Sequence, residues 1–92
     1  FDPPRRPLPP AAFAGQVARR GVRLVLKSQM LCRGRQVFIN GERCVASAGA
    51  ARLLLRFADR RCLPARTPVP EEAAHWLYQW YRAGYIELQD ER

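Results

Sequence analysis

Gln36-Val37-Phe38-Ile39-Asn40-Gly41-Glu42 is the stretch whose reading decides the fold. Val37, Phe38 and Ile39 are β-branched or aromatic, the types that suit a pleated, half-buried strand. Asn40-Gly41 follows directly, and a two-residue type I′ turn needs positive φ at both central positions, which Asn and Gly tolerate. The sequence therefore predicts a hairpin whose return strand runs from Glu42 to Ala46. Upstream, Val22, Leu24 and Leu26 alternate with Arg23, Val25 and Lys27, the period of a strand with one buried face. One strand from about 22 to 31 is expected, turned at Arg33-Gly34-Arg35 into the strand at 36–39.

Downstream, Ser47 is placed to cap a helix over 48–59, with Ala51, Leu54, Leu55 and Ala58 on one face and Arg52 and Arg56 on another. A loop with three prolines covers 60–70. A second helix begins near Pro70, which suits a first helical position, and Glu71 and Glu72 complement the positive end of its dipole. Gly84 is placed to end it in a left-handed conformation, and Tyr85 to Leu88 form a short strand before a polar tail. On this helix Leu77 and Tyr81 share one stripe and Trp76 and Trp80 the next. The Leu77/Tyr81 stripe is expected inside. The aromatic surplus leaves the Trp76/Trp80 side as a candidate docking surface. At the other end, residues 1–10 hold five prolines and read as a linker, and Ala11 to Arg19 as a short helix presenting Phe13 and Val17. Residues 1–20 are thus a linker with a short helix. Residues 21–92 are an α+β module, two helices against a small antiparallel hairpin sheet with a short C-terminal strand.

Length and composition bound what such a module can be. Ninety-two residues, 48% apolar and 26% charged, fit one folded domain. The longest apolar runs, such as Leu53-Leu54-Leu55, are far short of the roughly 20 residues that cross a bilayer. With neither a start methionine nor a signal peptide, the chain reads as a segment of a longer cytoplasmic protein. The net charge of +8 is unevenly spread: residues 1–36 hold eight basic side chains and one acid, residues 37–92 eight and seven. Arg19, Arg20, Arg23, Lys27, Arg33 and Arg35 form a candidate basic patch for nucleic acid or another polyanion. Arginine with abundant alanine also fits a GC-rich genome.

Chemistry finds little to work with. Cys32, Cys44 and Cys62 lie 12 and 18 residues apart, without the close pairs of zinc or redox motifs, and read as small buried hydrophobes. A Cys3His site with His75 would draw four ligands from four segments. His75 is the only histidine, so a two-histidine metal triad cannot be built. Glu71 and Glu72 point about 100° apart on a helix and share no acid–base site. No phosphate-binding glycine loop occurs. The chain is expected to bind no metal or cofactor and not to be an enzyme alone.

Three phrases carry a resemblance. They are the strand and turn at 36–42, the run Leu53-Leu54-Leu55-Arg56-Phe57-Ala58-Asp59-Arg60-Arg61-Cys62-Leu63, and Trp76-Leu77-Tyr78-Gln79-Trp80-Tyr81-Arg82-Ala83-Gly84-Tyr85-Ile86. Together, over about residues 20–88, they resemble the C-terminal region of bacterial cupin proteins of the JmjC type, the ribosomal oxygenases that hydroxylate an arginine of a ribosomal protein. The resemblance implies a small winged-helix-like domain behind a catalytic barrel. That barrel would use Fe(II) and 2-oxoglutarate, and none of its ligands falls on this sequence. The implied partners are the chain's own barrel and a homodimer mate, with ribosomal protein or rRNA beyond, and no membrane. A winged-helix nucleic-acid-binding regulator is the alternative. Two features oppose it: a second helix that opens with Glu71 and Glu72, and a connection of about eleven residues where a helix-turn-helix uses three or four.

Overall fold

The computed structural model describes residues 1–90. In chain order the elements are α1 Pro10–Arg20, β1 Val22–Leu24, β2 Met30–Arg33, β3 Gln36–Ile39, β4 Glu42–Val45, α2 Ala48–Arg60, β5 Cys62–Leu63, α3 Glu71–Ala83 and β6 Ile86–Leu88. The hairpin forms where the sequence places it: Asn40 (φ 48°) and Gly41 (φ 85°) both take positive φ, and Ile39 pairs with Glu42 across the turn. Strands β2, β3 and β4 make one antiparallel sheet with β3 in the middle.

The single strand expected over 22–31 is instead two strands in two sheets. β1 is the centre of a second antiparallel sheet, in the order β5-β1-β6, while β2 belongs to the hairpin sheet. The alternation fails at Leu26, which is 98% exposed, and the residue buried next is Ser28. The Ser28 hydroxyl donates to the Tyr85 carbonyl at 2.7 Å, and its N–H closes a turn onto the Val25 carbonyl at 2.9 Å. The Arg61 guanidinium donates to the carbonyls of Ser28 and Val25 at 3.0 and 2.9 Å. With these backbone groups satisfied, the turn competes successfully with a continuous strand.

The Ser47 hydroxyl caps α2 by accepting from the Ala50 N–H. Its inward face is Ala50, Leu53, Leu54 and Phe57 with Ala51, whereas Leu55 is half exposed. The face lies to one side of the expected one because Phe57, the bulkiest apolar side chain on the helix, goes fully inside. Its partners at spacings of three, four and seven follow it. The left-handed Arg61 ends α2, and the following loop contributes β5, a two-residue strand pairing with β1 that the sequence reading lacks. Pro70 is the cap of α3 rather than its first residue, and Gly84 ends the helix with φ 83°. Leu77 and Tyr81 are internal, as expected.

The proline-rich start, read from sequence as a linker, lies along α3. The Leu8 N–H donates to the Tyr81 hydroxyl at 3.0 Å, and the Tyr78 hydroxyl donates to the Leu8 carbonyl at 2.9 Å. Asp2 and Pro3 pass so close to Gly84 that a Cβ there would sit 2.7 Å from the Asp2 carbonyl carbon. Helix α1 then buries Phe13 and Val17, with the Phe13 ring stacked on Tyr81 at 4.4 Å. Among the described residues, no helix is long and apolar enough to cross a membrane.

Candidate docking groove and basic surfaces

Helices α1 and α3 touch through the rings of Phe13, Tyr78 and Tyr81 and leave a gap beside them. The consequence is an apolar groove of about 550 Å³, floored by Phe13, Val17 and Leu77, walled by Ala14, Ala18 and Val69, and rimmed by Glu71, His75 and Gln79. Alanine spacing creates it: Ala14 and Ala18 lie one turn apart on α1 and bring no bulk to cover the floor. A few polar groups at the rim of an apolar trough is the usual make-up of a binding cleft. The sequence held the signal in Phe13, Ala14, Val17 and Ala18, but a segment read as linker and marginal helix offered no reason to look for a cleft there.

The tryptophan stripe does not line this groove. Trp80 is 5% exposed and belongs to the core, so only Trp76 of the proposed pair reaches solvent, and it packs partly against the core as well. The two indoles stack at 6.4 Å. Helical spacing alone puts Trp80 on the outer stripe, since a two-layer module buries only one stripe fully. Helices α1 and α2 and strand β6 all pack on α3, more cover than the two-layer packing assumed there.

The candidate basic patch is divided by the fold. Arg19 and Arg20 end α1 and Arg23 lies on β1, so these three accompany the β5-β1-β6 sheet; Arg33 and Arg35 flank the β2–β3 turn; Lys27 lies in the turn between the two sheets. Several of these side chains are engaged within the fold. Arg20 Nε donates to the Gln89 carbonyl at 2.7 Å, Arg23 pairs with Glu87 at 2.7 Å, and Arg35 Nε donates to the Ala46 carbonyl at 2.7 Å. Arg61, which pins the turn, and Arg43, on the outer strand β4, were not singled out from sequence.

The groups with chemical potential are dispersed. Among the described residues, no three of His, Cys, Asp and Glu gather where they could hold a metal ion. Burial, the nearby Asp59 and Cys44 push the Cys32 thiol up to about 11, and burial with Glu72 raises that of Cys44. Both are therefore poor nucleophiles at neutral pH. Glu72 is a tether as well as a dipole partner, accepting from the Ser47 N–H at 2.9 Å and so joining the starts of α2 and α3.

Three helices around a small antiparallel sheet, with a second sheet built from two consecutive hairpins, define a winged-helix domain of α+β class. The family model described as ROXA-like winged helix matches residues 1–87, and the chain belongs to that family. The match takes in the proline-rich start and α1 together with the rest of the domain. No curated protein and no solved structure matches the chain.

Proposed function

We propose that the chain is the noncatalytic C-terminal accessory domain of a cupin-type oxygenase dependent on Fe(II) and 2-oxoglutarate, of the kind that hydroxylates an arginine of a ribosomal protein. Its task is to dock against its own catalytic barrel and so support the dimer or the seating of substrate. The observation that carries this reading is the open apolar groove between α1 and α3 in a chain of the ROXA-like winged-helix family. An apolar cleft of that size beside a complete core is surface that a partner covers.

The chain's own residues do not fit the iron. A facial triad needs two histidines and a carboxylate, whereas His75 is the one histidine and lies exposed on α3. The metal and cosubstrate therefore belong to the barrel, and no catalytic step is assigned to this domain. A direct grip on a basic ribosomal protein is disfavoured by the net charge of +8. The groove is accordingly assigned to the barrel rather than to the substrate.

Elemental analysis and calorimetric titration of the purified chain test the division of labour. Neither stoichiometric iron or zinc nor heat from 2-oxoglutarate is expected. One metal per chain, lost on replacing His75 or a cysteine, would overturn it.

A further inference from the structure

The hairpin sheet has a face that the described residues leave largely open. Val37 and Ile39 of β3 are buried on its inner side, where α2 packs. The register places Leu31, Phe38 and Arg43 side by side on the outer side, and Arg33, Gln36 and Val45 in the next row. Leu31 is 63% and Val45 59% exposed, and Phe38 is half-buried. Glu42, the one acid among these strands, pairs with the buried Ile39 and so has inner parity, and its carboxylate accepts from the Tyr85 hydroxyl. The outer face therefore carries Arg33 and Arg43 with no acid, and Arg35 stands at the adjoining turn.

We propose that this face binds a single-stranded nucleic acid, with a base stacked on Phe38 beside Leu31, Val45 in the adjoining row, and phosphates held by Arg33, Arg35 and Arg43. The composition selects the occupant. A duplex presents phosphates outward and keeps its bases stacked inside, so it would satisfy the arginines and leave the apolar centre wet. A single strand offers both π-faces and phosphates, which is the pairing that aromatic and arginine side chains on a platform recognise. Phosphates and base faces are common to both sugars, so RNA and DNA strands are bound alike. The site is separate from the α1–α3 groove and does not depend on the docking reading.

Fluorescence anisotropy with labelled strands of about ten nucleotides, a typical platform length, tests this on the whole chain. Oligo(U) and oligo(dT) should bind similarly and a duplex of equal length more weakly. Three phosphate contacts give a slope of log affinity against log salt of about −2, which Arg33→Ala with Arg43→Ala should reduce to about −0.7. Phe38→Ala should weaken binding by roughly 5- to 100-fold. Leu31→Glu, at an exposed position that leaves folding intact by circular dichroism, should do so too. Arg52→Ala with Arg56→Ala removes equal charge from exposed positions on α2 and should change the slope little. Equal or tighter duplex binding, unaltered affinity in Leu31→Glu, or equally effective displacement by polyglutamate would overturn the proposal, the last in favour of an acidic polypeptide.

Discussion

Replacing Phe13 with alanine should destabilise the domain by about 3 to 5 kcal/mol, the usual range for a buried phenylalanine. The ring is 3% exposed. It stacks on Tyr81 at 4.4 Å with the planes 21° apart and tilts against Tyr78 at 5.6 Å, and such aromatic pairs add roughly 0.5 to 1.5 kcal/mol beyond area burial. A domain of this length holds about 5 to 14 kcal/mol in all, so one side chain from the first twenty residues carries about a fifth of it or more. At roughly 4 to 8 °C per kcal/mol, the melting temperature should fall by at least about 12 °C. Urea denaturation followed by tryptophan fluorescence should show a lower midpoint with an unchanged slope. Ala14→Arg, one residue along but exposed, should stay within about 0.5 kcal/mol of the parent. A loss under about 1 kcal/mol for Phe13→Ala would refute the packing of α1 into the core and return the first twenty residues to the status of a tether.

Other substitutions probe the sheets and the thiols. Gly41→Val, at φ 85° in the hairpin turn, should cost about 1 to 3 kcal/mol by backbone strain, visible as a lower melting temperature. Ser28→Ala should cost about 1 to 3 kcal/mol, because it removes the donor to Tyr85 and the acceptor for Asn40 that link the two sheets; an unchanged urea midpoint would place the junction elsewhere. Cys32 has its pKa raised from 9.0 to about 11 in the fold, so above pH 9 the unfolded chain releases this proton first. Stability contributed by the protonated thiol is complete below pH 9 and is lost as pH rises toward 11. Alkylation of Cys32, followed by mass spectrometry, should correspondingly be slow at pH 8 and accelerate through that window.

Local rules were enough for much of the fold. Asn40-Gly41, Ser47 and Gly84 each have one backbone task, and each performs it where its chemistry demands. The readings that changed depend on contacts distant in sequence. Ser28 finds the Tyr85 carbonyl 57 residues away and breaks a strand that alternation alone would continue. Leu8 finds Tyr81 across 73 residues and converts a proline-rich spacer into a strap. The burial of Trp80 and the groove between α1 and α3 have the same origin. Helical spacing told which tryptophans share a stripe, but the depth of that stripe depends on how many elements surround α3, and the cleft arises from two helices meeting.

The measurement that bears most directly on docking is a calorimetric titration of this chain with the catalytic barrel of the protein that carries it, expressed separately. Saturable binding to the parent domain is expected. Ala14→Arg and Ala18→Arg each place a guanidinium in the apolar groove from an exposed helix position and should weaken it by at least about tenfold, the equivalent of 1.4 kcal/mol. Absence of binding, or binding that both variants leave unchanged, would contradict a docking role for the α1–α3 groove.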